Sequence, residues 1–317
     1  MSLASGGYPL QGLPNSRRSA ICSVNPGFAL KFSIVTPSFR QLDWLRLCVP
    51  SVADQVTGGI AVQHIVQDAG SPGIDDLKQS LPDFCLNRAS GYELDIIVEK
   101  DEGMYDAVNR GLQRATGDIC AYLNCDEQYL PGILPRIDAY FAAHPDIEIL
   151  FGDVILTDAA GKPISYRRTT RPFLTHVRLA SLNTLTCATF FRRSIIDRGH
   201  FFPTHLKIAG DQLWLYQLLR QGVKIGLLPV PFSVFAFTGG NLSRSKQAEI
   251  EMTAWLPPEE ALSPPWQTRG AIALHRLRKL FAGAYRRRTV TVSLYTLESP
   301  GRRKSTTVKN VGFGWPE

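Results

Sequence analysis

The sequence predicts an α/β fold, a mostly parallel sheet flanked by helices. Three observations predict it. Short, almost continuously apolar runs have strand length, as in strands covered on both faces. Stretches with helical spacing separate them. Polar, carboxylate-bearing segments follow the apolar runs, where an open α/β sheet holds its ligand.

The elements follow in order. Residues 1–30 are rich in Gly, Ser, Pro and Asn and read as an N-terminal extension. Lys31-Phe32-Ser33-Ile34-Val35-Thr36, stopped by Pro37, predicts the first strand. Ile60–Val66, Leu94–Val98 and Ile119–Leu123 predict the next three. Met104, Ala107, Val108, Leu112 and Ala115 share one helical face, with Gly117 as the stop. Ile133, Ile137, Tyr140 and Phe141 repeat that spacing after Pro131. Such alternation implies right-handed crossovers. Thr184–Phe191 and Val223–Leu228 predict strands flanking a helix from about Gly210 to Arg220. Pro229 and Pro231 then mark turns, and Pro257, Pro258, Pro264 and Pro265 a linker. The expected organisation is an extension over 1–30, a main α/β domain over 31–250 and a basic C-terminal extension over 251–317.

A chain of 317 residues can bury one large core, or a main domain plus an appendage. No apolar run approaches the roughly 20 residues that cross a bilayer. The N-terminus lacks a charged start followed by an apolar centre, so a cytoplasmic location is expected. Cys22, Cys48, Cys85, Cys120, Cys125 and Cys187 form no C-x-x-C pair, which argues against a zinc site or a disulfide scaffold. Residues 255–317 hold 11 Lys/Arg against 4 Asp/Glu, the whole of the net charge of +7, on an otherwise neutral chain. A basic tail on a neutral body points to an anionic surface.

The predicted loops collect acids. The first strand leads into Thr36-Pro37-Ser38-Phe39-Arg40, and the second into Gln67-Asp68-Ala69-Gly70-Ser71. The third leads into Glu99-Lys100-Asp101-Glu102-Gly103, and the fourth into Asn124-Cys125-Asp126-Glu127. Each acid also has a local structural reading. Asp68 can organise a turn with Gly70 and Ser71, Asp101 can cap the next helix, and Asp126-Glu127 can form a polar turn. Their common edge has a chemical reading. A nucleotide diphosphate is strongly anionic, and a hard divalent cation can bridge it to carboxylate oxygens.

Glu99-Lys100-Asp101-Glu102-Gly103-Met104-Tyr105-Asp106-Ala107-Val108-Asn109-Arg110-Gly111, then Ala115-Thr116-Gly117-Asp118 and Leu123-Asn124-Cys125-Asp126-Glu127, resembles the ordered motifs of family 2 glycosyltransferases with the GT-A fold. The resemblance runs from about Lys31 to Ser243. It implies a nucleotide-sugar site in which Thr36, Pro37, Ser38 and Asp68 cradle base and ribose. Asp101 and Gly103 would lie near the base. Asn124, Cys125 and Asp126 would form the D-x-D region, with Asp126 holding Mn²⁺ or Mg²⁺. Asn124 replaces the usual first acid, and Glu127 is an added one. In Ile208-Ala209-Gly210-Asp211-Gln212-Leu213-Trp214, Asp211 would be the general base. Its local alternative is a helix cap. Gly210 stands where many members carry another residue. Thr238-Gly239-Gly240-Asn241-Leu242-Ser243 resembles a segment that closes over the diphosphate, or forms an ordinary turn.

The resemblance thus implies a metal-dependent, inverting transfer of one sugar, from a donor that is UDP-linked on the same grounds, to a glycan or lipid-linked acceptor. Two rivals stand beside it. A nucleotidyltransferase would carry a Gly-rich loop after its first strand, and Thr36-Pro37-Ser38-Phe39 is not one. A non-catalytic nucleotide-sugar sensor would share the binding residues and lack transfer. His176, His200 and His205 receive no role, and Tyr166–Arg171 reads as a solvated hairpin or a hold for an anionic acceptor. Ala273, Leu274, Leu277, Leu280, Phe281 and Ala284 form one helical face, with Arg276, Lys279, Arg286 and Arg287 opposite. Residues 270–288 would lie on an anionic membrane, making the protein peripheral on its cytoplasmic face, or would pack their apolar side on the main domain. No nucleic-acid-binding module accompanies the charge.

Overall fold

β1 (Lys31–Ser38) is enclosed on both faces, with only Lys31 partly exposed. It lies between two parallel neighbours, β2 (Ala61–Asp68) and β4 (Ile119–Tyr122). The computed structural model describes residues 29–86, 91–238, 250–251, 254–256 and 263–315. The expected N-terminal extension over 1–30 and the segment Gly239–Ser243 therefore lie almost wholly outside the described residues.

The remaining elements are α1 (Leu42–Ala53), β3 (Tyr92–Val98), α2 (Met104–Gln113), β5 (Glu127–Tyr129), α3 (Ile133–Ala143), β6 (Ile149–Asp158) and β7 (Pro163–Arg167). After them come α4 (Leu174–Leu179), β8 (Thr189–Arg192), α5 (Ser194–Asp197), α6 (Gly210–Arg220) and β9 (Ile225–Phe237). α7 (Pro265–Phe281), β10 (Arg288–Thr296) and β11 (Ser299–Val311) complete the described chain. One mixed nine-stranded sheet runs β3-β2-β1-β4-β8-β6-β9-β5, with β7 added to β6. Its long ladders, β3-β2-β1 and β6-β9, are parallel.

Alternation along β1 builds a core on each face. Phe32 and Ile34 pack with Leu45, Val49 and Val52 of α1 and Ile133, Leu134 and Ile137 of α3. Val35 packs on the other side with Val108 and Leu112 of α2 and Trp214 and Leu218 of α6. α2 lies close against β1 at Gly111, where a Cβ would overlap the Val35 side chain. The register sets Ser38 beside Asp68 and Asp68 beside Val98, so three loops leave the sheet at one level.

The structure differs from expectation in three places. β8 begins at Thr189, because Thr186–Ala188 forms a 3-10 turn instead of extending the strand from Thr184. β9 continues through Pro229 and Pro231, where turns were expected. Register shifts at Gly152, Asp153 and Val154 of β6 accommodate those prolines, which cannot donate to a ladder. β6, central to the second half of the sheet, has no counterpart among the expected strands. β10 pairs with β11 in a separate two-stranded sheet.

That hairpin is tied to the main sheet. Arg303 forms a forked ion pair with Asp54 (Nη2 to Oδ1, 2.8 Å) and donates to the Tyr129 carbonyl. Gln128 and Tyr295 exchange two hydrogen bonds of 2.8 and 3.0 Å. α7 presents its apolar stripe outward. Leu274, Leu277, Leu280 and Phe281 are 42–82% exposed, so this face does not pack on the domain. The contacts come from its other side, where the His275 ring lies tilted against His176 of α4, centroids 4.0 Å apart, and Arg278 covers Phe173. Among the described residues no helix is long and apolar enough to cross a membrane. Cys48, Cys85, Cys120, Cys125 and Cys187 are all free and buried.

Candidate active site

The loops after β1, β3 and β4 border a cleft of about 1060 Å³. Pro37, Ser38 and Phe39 line it from the first loop, Asp101 and Gly103 from the third, and Asn124, Cys125 and Asp126 from the fourth. Lys207, Ile208 and Asp211 line it from the start of α6. The sequence-expected Pro37, Ser38, Asp101, Gly103, Asn124, Cys125, Asp126 and Asp211 are thus brought together.

Two expected binding residues do not reach the cleft. Thr36 is fully buried, and its hydroxyl is spent on His64 Nε2 at 2.9 Å. Asp68 is also fully buried, and both carboxylate oxygens serve its own turn. They accept from Gly70 N (2.9 Å), Ser71 N (2.6 Å) and Ser71 Oγ (2.8 Å). The turn reading of Asp68 describes this geometry, and Ala69 lines the cleft in its place.

The β4 loop is held from behind. Glu127 is buried, and its Oε2 accepts the Asn124 N–H at 2.8 Å. Burial, with Asp126 adjacent, holds the Glu127 carboxyl well above the usual carboxylate range. Glu127 shapes the turn and does not line the cleft. The Cys125 thiol donates to the Pro37 carbonyl at 3.1 Å, joining the ends of β4 and β1. Burial pushes that thiol up to about 12, so it is a neutral donor and no nucleophile. Asp126 is left facing the cleft, its carboxyl also raised by burial.

The loop before α2 is partly structural. Asp101 Oδ1 accepts the Gly103 N–H at 2.9 Å, and burial raises its carboxyl. Gly103 has φ +127°, a backbone that side chains rarely adopt. Asp106 pairs with Arg110 at 2.9 Å and accepts the Glu102 N–H. Asn109 exchanges bonds of 2.7 and 2.9 Å with the Phe202 backbone, anchoring α2 to the segment that leads into α6. Half of the motif therefore aligns the two halves of the cleft.

Asp211 opens α6. The Glu251 carboxylate accepts backbone N–H groups of Lys207, Ile208 and Ala209 just before it, as a carboxylate at a helix start does. Asp211 Oδ1 accepts the Gln212 N–H at 2.8 Å. Burial pushes its carboxyl up to about 6, against the lowering effect of that bond and of Tyr105. A carboxylate poised there can take a proton near neutral pH.

Sequence reasoning missed part of the lining. Lys207 reaches the Glu102 carbonyl at 2.6 Å, linking the loop before α2 to the approach to α6. Arg167, Arg168, His275, Lys279 and Trp315 also line the cleft. The Arg-rich Tyr166–Arg171 stretch carried a signal for the first two. It is not the solvated hairpin expected, since Tyr166, Thr169 and Thr170 are buried. Lys279 and Trp315, far along the chain, had no local signal.

This layout defines an α/β protein of the GT-A fold. The Glycosyl transferase family 2 model matches residues 33–199, and the chain belongs to that family. It is similar to a PGL/p-HBAD biosynthesis glycosyltransferase of Mycobacterium bovis (strain BCG / Pasteur 1173P2), 32% identical over 39% of this chain and 47% of the relative. It is also similar to the amylovoran biosynthesis glycosyltransferase AmsE of Erwinia amylovora, 27% identical over 42% and 50%. The chain spans about half the length of these curated relatives. Among solved structures, the mannosyltransferase PcManGT from Pyrobaculum calidifontis, in complex with GDP-Man and Mn²⁺, superposes with a TM-score of 0.50 at 16% identity. That match covers 82% of this chain and 79% of PcManGT. S. aureus TarS 1-349 in complex with UDP-GlcNAc gives 0.51 at 17% identity, covering 79% and 66%. At such identities the likeness is one of fold.

Proposed function

We propose that the protein transfers one sugar from a nucleotide-sugar to an acceptor hydroxyl, with inversion, using Asp211 as general base. The supporting observation is that Asp126 and Asp211, 85 positions apart in sequence, line one cleft, with burial raising both carboxyls. Asp211 takes the proton of the acceptor hydroxyl as that oxygen attacks the anomeric carbon. The bond from that carbon to the diphosphate breaks, and the electron pair leaves with the diphosphate. Attack from the opposite face inverts the centre and needs no protein nucleophile. The names of fold neighbours include UDP-GlcNAc and GDP-Man, which favours a nucleotide-sugar donor. The family resemblance points to UDP.

Asp126 fits a divalent cation. Its carboxylate lines the cleft, and an ion that arrives with the diphosphate takes few protein oxygens. Bound there, Mn²⁺ or Mg²⁺ would supply positive charge for the departing diphosphate. Asn124 adds a neutral contact, and Asp101, Gly103, Pro37 and Ser38 border the nucleotide end.

For the acceptor, a lipid-linked glycan suits the outward stripe of α7. Trp266, Leu274, Leu277, Leu280 and Phe281 are exposed there, with Arg269, Arg276, Arg286 and Arg287 exposed on and beside the helix. This combination suits an anionic bilayer surface. The test of the activity screens purified protein against nucleotide-sugars with Mn²⁺, Mg²⁺ or EDTA. Transfer or hydrolysis of one donor that EDTA abolishes is expected. Metal-dependent binding without transfer, with lipid-linked acceptors present, would overturn it in favour of a sensor.

A further inference from the structure

We infer that Arg167, His275 and Lys279 form a subsite for a phosphate-class anion on the acceptor, supplied jointly by β7 and α7. The inference rests on the nucleotide-sugar reading of the cleft and names the acceptor chemistry that this reading leaves open.

All three side chains line the cleft that holds Asp126 and Asp211. Among the described residues none of them meets a carboxylate. The Arg167 guanidinium donates to the Phe313 carbonyl at 2.7 Å and covers the Trp315 ring at 5.6 Å. Lys279 Nζ stands 5.7 Å from the centre of the Tyr285 ring. Among the described residues His275 Nδ1 is buried without a hydrogen-bond partner, and its ring lies tilted against that of His176, whose Nδ1 is likewise buried and unpartnered among them. The adjacent Arg168 shows the contrast. It is paired at 3.0 Å with Asp153, which also accepts from the Tyr166 hydroxyl, so its charge is met within the fold.

The cluster is electrostatically unfavourable as it stands. Burial and then Arg167 push Lys279 down to about 8. Burial, then His176, Lys279 and Arg167 push His275 down to about 4, so it is a neutral hydrogen-bonding ring beside the two cations Arg167 and Lys279. Like charges gathered out of water, with no counter-charge, destabilise a fold unless a ligand supplies one. A phosphate suits the donors, because the guanidinium offers a planar fork and the ammonium a compact charge.

The position favours the acceptor. A divalent cation held by Asp126, on the β4 loop, would supply the counter-charge for the donor's diphosphate. The cationic cluster comes from β7 and α7, outside the β1–β4 loops that border the nucleotide end. α7 also carries the exposed apolar stripe on its outer side. A phosphorylated lipid at that surface would present its charged group to the inner side of the same helix.

The experiment measures binding of farnesyl phosphate and of farnesol to the full chain, with Mn²⁺ present and UDP saturating. Wild type should bind the phosphate and discriminate strongly against the alcohol. Lys279→Ala and Arg167→Ala should each weaken farnesyl phosphate by about tenfold, the loss of one charge-assisted bond. UDP affinity should stay unchanged, and Lys279→Arg should restore binding. Unchanged farnesyl phosphate affinity in both alanine variants would overturn the subsite. A parallel loss of UDP affinity would assign the cluster to the donor and overturn the acceptor role. Competition by inorganic phosphate at equal concentration would make it a free-anion site, with the same consequence. If wild type bound farnesyl phosphate but no nucleotide, the nucleotide-sugar reading would fail while the anion subsite stood.

Discussion

The Tyr105 hydroxyl accepts the backbone N–H of Asp211 at 3.1 Å while donating to the Ile208 carbonyl at 2.8 Å. One phenol from the first half of the chain therefore fixes the backbone on which the candidate base sits. Gly210 makes this possible, because a Cβ there would stand 2.5 Å from the Tyr105 ring.

Tyr105→Phe keeps the ring and removes both bonds. Transfer should fall about fivefold, for a loss of about 1 kcal/mol. Donor affinity should remain, read from the separate effects on kcat and donor KM. Gly210→Ala should be harsher, costing about 1–3 kcal/mol from overpacking. A thermal midpoint equal to wild type would show that the ring yields easily.

Asp211→Asn preserves shape and removes the proton acceptor. Transfer should drop about 10²- to 10⁴-fold, the range for losing a general base, with nucleotide binding intact. Full transfer activity in this variant would end the base assignment.

The raised Asp211 carboxyl sets a pH dependence. The base acts only as carboxylate, so kcat/KM should rise with pH through about 6 and level off above it. The stability effect has the opposite sign. The folded state holds this proton more tightly than an unfolded chain, whose Asp titrates near about 4. Its contribution is therefore full below about 4 and lost as pH rises through about 6. Thermal melts in EDTA should show that loss in wild type and not in Asp211→Asn.

Asp126→Ala should remove the metal-dependent part of donor binding. Wild-type binding titrations should lose affinity on adding EDTA, and the variant should resemble EDTA-treated wild type without metal. Retained Mn²⁺ dependence in the variant would place the ion elsewhere.

Arg303→Ala should loosen the C-terminal hairpin. The forked pair with Asp54 is mostly shielded, so its loss should cost about 2–3 kcal/mol by denaturant melts. If the hairpin is what steadies α7, hydrogen exchange over α7 should rise in the same variant.

Much of the first half of the fold was legible because its determinants are local. Buried parallel strands write themselves as unbroken apolar runs, and α2 and α6 carry helical spacing with their boundaries marked. β6 was not read, and of β9 only the start, Val223–Leu228, was. β9 contains two prolines, and only the shifted ladder with β6 reveals how a strand accommodates them. Asp68 illustrates a different limit. An acid beside Gly and Ser suits a ligand or a turn equally well, and the three bonds to its own loop emerge only once the chain is folded.

By itself, the sequence determined the α/β class, the family motifs and the short set of acids, Asp101, Asp126 and Asp211 among them, from which a cleft could be built. These depend on apolar period and on the spacing of short motifs along the chain. Tertiary structure alone decided which acids face the cleft, that Glu127 supports the turn from behind, and that α7 turns its apolar stripe outward. It also brought Arg167, His275 and Lys279 together across more than 100 residues of sequence. The physical reason is that burial, and the company a charge keeps, are properties of packing between distant segments. No local pattern encodes them.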